Sequence, residues 1–302
     1  MKFQFIKHKT IFILLSVIFV SVSIAALAIF GLKPGIDFKS GSSWQIEVPA
    51  SERDLSAYLK NDLKIEDPIV SYDSASNSYS IVMPMMTDEQ KAQYADSLKA
   101  KFGNFKELDF GLTTPSISNE LKNKSMMLIV AVLAVMAIYI TITFKAVSYP
   151  VPSWKYGIIT IVALAHDVVI AAGAAAVLGR FSGMTIDTNF IVALLTIAGF
   201  SAQDTIVVFD RIRENLAGHR EKGVDMPGIV NRSLNEVVMR SLNTSLSIML
   251  ALLAIAVFGP ISVHYFAIVM LVGMFFGTYS SIFLASPLLV AAYQLDIKRK
   301  KL

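Results

Sequence analysis

The sequence predicts an α-helical polytopic membrane protein of six spans, with a small ferredoxin-like α+β domain inserted between the first and second. Six apolar stretches, near 11–31, 125–144, 157–178, 188–209, 237–258 and 266–290, are each long enough to cross about 30 Å of hydrocarbon at about 1.5 Å per residue. One long polar stretch separates the first two, and Lys and Arg gather in alternate connections. With 54% hydrophobic and 17% charged residues and a mean hydropathy of +0.58, the chain is more apolar than an ordinary soluble domain.

Residues 1–32 form the N-terminus and first span. Lys2, Lys7 and Lys9 precede the apolar run, and Ala26-Leu27-Ala28 resembles a signal cleavage site. The run exceeds the roughly 7–15 residues of a signal core and five more spans follow, so it reads as an uncleaved anchor.

Residues 33–123 carry the pattern of the inserted domain. Trp44–Val48 alternates as a half-buried strand, and Ser51 caps a short helix. Pro68–Tyr72 and Tyr79–Met83 flank the turn cluster Ser74-Ala-Ser-Asn77 as a hairpin. Thr87-Asp-Glu-Gln90 is a capping box for a helix through Phe102, and Phe105–Phe110 closes as a strand. The order β-α-β-β-α-β is that of a ferredoxin-like fold.

Residues 124–302 supply spans two to six. Lys145 and Lys155 lie in the second connection, Arg211, Arg213, Arg220, Lys222 and Arg232 in the fourth, and Lys298 to Lys301 in the tail. The third connection has only Arg180 and Gly259-Pro-Ile-Ser262 has none, so both termini are expected on the cytoplasmic side and the large loop outside. The net charge of +4 is thereby topology and calls for no nucleic acid. Gly218, Gly223 and Pro227-Gly228 interrupt a cytoplasmic loop at about 211–236, which reads as a helical hairpin, either a solvated anchor or a moving coupling element.

From Phe190 to Phe209 the only charged residue is Asp204. A carboxylate at membrane depth costs roughly 2.5–3.5 kcal/mol on insertion, so it is expected to titrate, pair or carry ions. Arg240 opens the following span in the same leaflet and is the expected partner. Ser201, Thr205, Thr244, Ser245 and Ser247 lie within a turn or two of these charges, as packing or as relay. His166-Asp167 in the third span is a second intramembrane pair, a proton relay or a static one, whereas Gly273-x-x-x-Gly277 reads as helix packing.

Zero cysteines exclude thiol chemistry, and the four histidines lack metal-ligand spacing. No Walker A or nucleophile-elbow motif occurs, so no enzyme activity, metal or cofactor is expected. Work would draw on an ion gradient, worth about 2.3 kcal/mol per charge per 100 mV. An Asp among hydroxyls suits H⁺ or Na⁺.

Four stretches resemble the SecF family of protein-export membrane subunits, within the resistance-nodulation-division superfamily. They are Gly35-Ile-Asp37-Phe38-Lys-Ser-Gly41, Ala163-Leu-Ala-His166-Asp167-Val, Ser201-Ala-Gln-Asp204 through Asp210-Arg211-Ile-Arg213-Glu214-Asn215, and Asn231-x-Ser-Leu-x-Glu through Arg240 to Ser245. Ser40 and Gln203 stand where the family has Gly and Asn.

The resemblance implies a bacterial inner-membrane subunit that pairs with SecD. With it, the subunit uses the proton-motive force to complete preprotein translocation through SecYEG after SecA, with YajC and YidC as further family partners. It implies Asp204 as the protonatable acid and Arg240 as its charge partner, with Asp167, His166, Thr205 and Ser201 as relay positions. Alternatives are half of a proton-coupled small-molecule exporter and a non-conducting membrane scaffold.

Overall fold

The computed structural model describes residues 3–35, 37–73, 76–144, 150–217 and 224–301. Lys145, Tyr149, Gly218, Arg220, Lys222, Gly223 and two residues of the Ser74–Asn77 turn cluster lie outside them.

A 3₁₀ turn at Ile6–His8 leads into α1 (Lys9–Phe30). The polar stretch then folds as β1 (Gly41–Glu47), α2 (Glu52–Asn61), β2 (Ile69–Asp73), β3 (Ser78–Met83), α3 (Asp88–Phe102) and β4 (Lys106–Thr113). The strands form one antiparallel sheet in the order β2-β3-β1-β4, as the ferredoxin-like reading requires. Ser51 Oγ accepts from Asp54 N–H at 3.1 Å, and Thr87 and Gln90 close both bonds of the expected capping box. Alternation puts Trp44, Ile46 and Ile81 on one sheet face, fully buried against Leu55 and Leu59 of α2 and Leu98 of α3.

The remaining helices are α4 (Pro115–Thr143), α5 (Ser153–Phe181), α6 (Thr188–Ala217), α7 (Met226–Phe258), α8 (Ile261–Ser280) and α9 (Ser286–Lys301). A π-helical turn at Ser281–Ala285 fuses α8 and α9 into one rod. Among the described residues six helices are long and apolar enough to cross a membrane. This is a multi-pass membrane protein. The second span begins at Pro115, ten residues before its apolar run, because Pro115–Lys124 is helical though polar. Only Thr114 separates it from β4, so sheet and helix are joined without slack.

The spans are unequally buried. α5, α6 and the α8–α9 rod form the centre, where about half of each apolar window is covered, whereas α4 has 6% of its window buried. At the end of the bundle away from the sheet, Phe144 and Tyr156 stack and Phe209 meets both edge-on, all three fully buried in an apolar cluster.

Candidate functional site

Asp167 is fully buried in α5, where its carboxylate meets hydroxyls of two other helices and the imidazole of its own neighbour. Oδ2 accepts from Ser201 Oγ of α6 at 2.5 Å and from Ser280 Oγ of α8 at 2.7 Å, while Oδ1 lies 2.8 Å from His166 Nδ1. The imidazole is itself buried, and lies beneath Tyr279 with ring centroids 6.3 Å apart. A carboxylate at membrane depth demands such donors, since an unpaired charge there is costly.

Asp204 lies one helical turn beyond Ser201 and is half-buried. Its Oδ2 accepts long hydrogen bonds from Ser245 Oγ of α7 at 3.3 Å and Thr278 Oγ1 of α8 at 3.5 Å. Thr278 Oγ1 also lies 2.6 Å from Ser245 Oγ and 3.0 Å from the Met274 carbonyl. A hydroxyl has one proton to donate. Thr278 must therefore choose between the carboxylate, the serine and its own helix.

The hub of both clusters is Gly277–Ser281 of the last span, of which the sequence analysis singles out only Gly277. Thr278 serves Asp204, Ser280 serves Asp167, Ser281 Oγ meets Thr205 Oγ1 at 3.0 Å, and Tyr279 OH donates to the Phe12 carbonyl of α1 at 3.0 Å. The hydroxyls in Gly-Thr-Tyr-Ser-Ser, set in an apolar run, were the available signal. Gly273-x-x-x-Gly277 is helix packing as expected, but more than that. A Cβ on Gly277 would lie 3.4 Å from Ser201 Cβ and 3.8 Å from Asp167 Oδ2, so the bare backbone gives α8 its approach to the buried acid.

One expectation needs correction. Arg240 does not pair with Asp204: it is exposed and lines a cavity of about 410 Å³ with Asp210, Arg211, Glu214 and Glu236. The reason is helical phase. Ser245, the α7 residue that does reach Asp204, lies five residues on, about 140° around the helix at about 100° per residue. Of the hydroxyls near these charges, Ser201 and Thr205 bond Asp167 and Ser281, while Thr244 and Ser247 bond carbonyls of their own helix.

The charged motif after Asp204 ties α6 to α7. Arg211 bonds Glu214 at 2.6 Å and Glu236 at 2.8 Å, Arg213 pairs Asp210 at 2.6 Å, and Asn215 reaches Ser233 and Glu236. Asn231 and Asn235, one turn apart on α7, both donate to the Phe3 carbonyl and so hold the N-terminal segment. At the sheet end, Asp37 Oδ2 accepts from the Thr188 N–H and hydroxyl at 2.9 and 2.6 Å, and Phe38 and Gly41 are buried beside it. Neighbouring Asp187 caps the same helix through Phe190 N–H at 2.9 Å, and burial, aided by the charge of Asp37, holds its carboxyl above the usual range.

Residues 93–295 match the family model described as protein export membrane protein SecD/SecF, C-terminal. The chain belongs to the SecD/SecF family. The translocase subunit SecF of Thermobaculum terrenum is 38% identical over 97% of this chain and 95% of its own length. That of Anaerolinea thermophila is 36% identical over 93% of this chain and 91% of its own. The crystal structure of SecDF from Thermus thermophilus, a translocon-associated membrane protein, superposes with a TM-score of 0.83 at 27% identity. It matches 98% of this chain, which spans 39% of that longer one. A super-membrane-facing form of SecDF gives 0.71 at 26% identity. The chain is thus a protein translocase subunit of the SecF type.

Proposed function

We propose that this SecF-type subunit couples proton movement past Asp204 to the late stage of preprotein export, in complex with a SecD-type partner in the bacterial inner membrane. Both termini are cytoplasmic and the domain of residues 33–123 faces outside, as the Lys and Arg distribution favours. The observation that carries this reading is the single turn of α8 whose hydroxyls serve both intramembrane acids. A proton on Asp204 removes the charge that competes for the Thr278 hydroxyl, which is then left to Ser245 or the Met274 carbonyl. Protonation is thereby felt at once by α6, α7 and α8. The relay of His166, Asp167, Ser201 and Thr205 lies on the same hub.

Exposed polar side chains remain on these two helices, Gln203 on α6 and Arg240, Asn243, Thr244 and Ser247 on one face of α7. Such a face is unfavourable against lipid and favours cover by a second helical subunit. In that complex Arg240 acts across the subunit boundary, and a SecYEG channel with SecA supplies the chain that the assembly handles. The test is preprotein translocation into inverted membrane vesicles containing both subunits. Asp204→Asn should abolish stimulation by a proton gradient while the subunits still co-purify; stimulation that persists, or that follows a sodium gradient instead, removes proton coupling.

A further inference from the structure

We propose that Asp37 is the joint that carries movement of the acid-bearing fourth span to the outside domain, a positioning role that rests on the proton-coupled reading above. The first turn of a helix leaves backbone N–H groups without intrahelical partners, and a carboxylate is favoured there by both hydrogen bonding and the helix dipole. In α6 this need is met from two places. Asp187 is the local cap, and Asp37, 151 residues away in sequence, takes the Thr188 N–H and hydroxyl on one oxygen.

The described residues on either side of Asp37 are held by backbone hydrogen bonds. Gly35 N–H donates to the Ile186 carbonyl at 2.7 Å, Ile186 N–H donates to the Lys33 carbonyl at 2.8 Å, and Phe38 and Lys39 N–H both return to the Gly35 carbonyl. A Cβ on Gly35 would lie 2.9 Å from Ile186 O, so this close backbone approach requires glycine. Four residues after Asp37, Gly41 opens β1, the strand flanked by β3 and β4 in the sheet. Below the joint, Asp204 sits sixteen residues past Thr188, about 24 Å down one continuous helix at about 1.5 Å per residue.

A shift or rotation of α6 is therefore delivered to β1 through the Asp37 carboxylate, with the backbone bridge at Ile186 holding the segment against the start of the helix. The second covalent attachment of the sheet, Thr114 between β4 and α4, connects to the least buried span, and β2 also touches α8. Of these attachments, Asp37 is the one that bonds the first turn of α6 itself.

The absence of cysteine makes the test clean. Spin labels are placed in the full chain, assembled with its SecD-type partner in nanodiscs. One pair, at exposed Lys99 and Ser182, reads the outside domain against the bundle; a second, at exposed Arg232 and Leu295, reads the opposite end. Each distance is compared with and without Asp204→Asn, the neutral form of the acid. Both pairs should shift in the parent chain. With Asp37→Asn or, from the other side of the joint, Thr188→Val, the opposite-end pair should still shift and the outside pair should lose its response. An outside pair that responds equally in both joint variants overturns the proposal and leaves the proton reading intact. Silence of the opposite-end pair in the parent chain overturns the proton reading and the joint with it.

Discussion

Removing Ser280 should weaken the protein only as long as Asp167 is a carboxylate. The Ser280 hydroxyl has one proton and two acceptors, Asp167 Oδ2 at 2.7 Å and the Gly277 carbonyl at 3.0 Å. Against an ionised, fully buried acid the carboxylate is the stronger acceptor, and bonds to charged groups contribute about 1.5–3 kcal/mol. Bonds between neutral groups on membrane helices average only about 0.6 kcal/mol, with a maximum near 1.7. For the ionised acid, the coupling between Ser280→Ala and Asp167→Asn should therefore be about 1.5 kcal/mol, above the neutral average. In the Asp167→Asn chain the hydroxyl can revert to the Gly277 carbonyl, so Ser280→Ala should then cost little. The assay is equilibrium unfolding in mixed detergent micelles of the parent, both single variants and the double variant. Additivity within about 0.5 kcal/mol would refute the assignment of Ser280 as a carboxylate donor.

Arg240→Met should leave unfolding free energy within about 0.5 kcal/mol of the parent, because the side chain is exposed, yet abolish gradient-stimulated export. A loss of about 3–5 kcal/mol in the same unfolding assay would instead indicate a buried pair. Trp44→Ala, at a fully buried position, should destabilise the sheet domain by about 3–5 kcal/mol, read as a lower denaturation midpoint. Because the Asp187 carboxyl is held above its usual range, its contribution to stability is complete below about pH 3.9 and is lost as pH rises through the native value. Asp187→Asn keeps an acceptor for Phe190 N–H and should flatten that decline; an unchanged pH dependence of the melting temperature would count against it.

The fold was readable because each of its elements has a local cause. Span lengths follow from apolar runs, and the β-α-β-β-α-β domain from period-two alternation, the Ser51 cap and the Thr87 capping box. The site was readable only in part. An isolated acid such as Asp204 or Asp167 is conspicuous in an apolar run, but its partners depend on which faces of three helices meet. Arg240 lay at the right depth and the wrong angle, and Ser201 proved to serve the acid of α5 rather than the one on its own helix. Thr278, Ser280 and Ser281 escaped notice because hydroxyls in apolar helices most often bond their own backbone. Here they do that and reach another helix as well. The bond from Asp37 to Thr188 spans 151 residues, and no local pattern encodes it.

Proton coupling at Asp204 is tested most directly by preprotein translocation into inverted vesicles that carry the subunit and its SecD-type partner, with and without a proton gradient. Asp204→Asn is predicted to erase the gradient-dependent increment while leaving gradient-independent translocation and complex assembly unchanged. An increment of parental size in that variant would contradict the account.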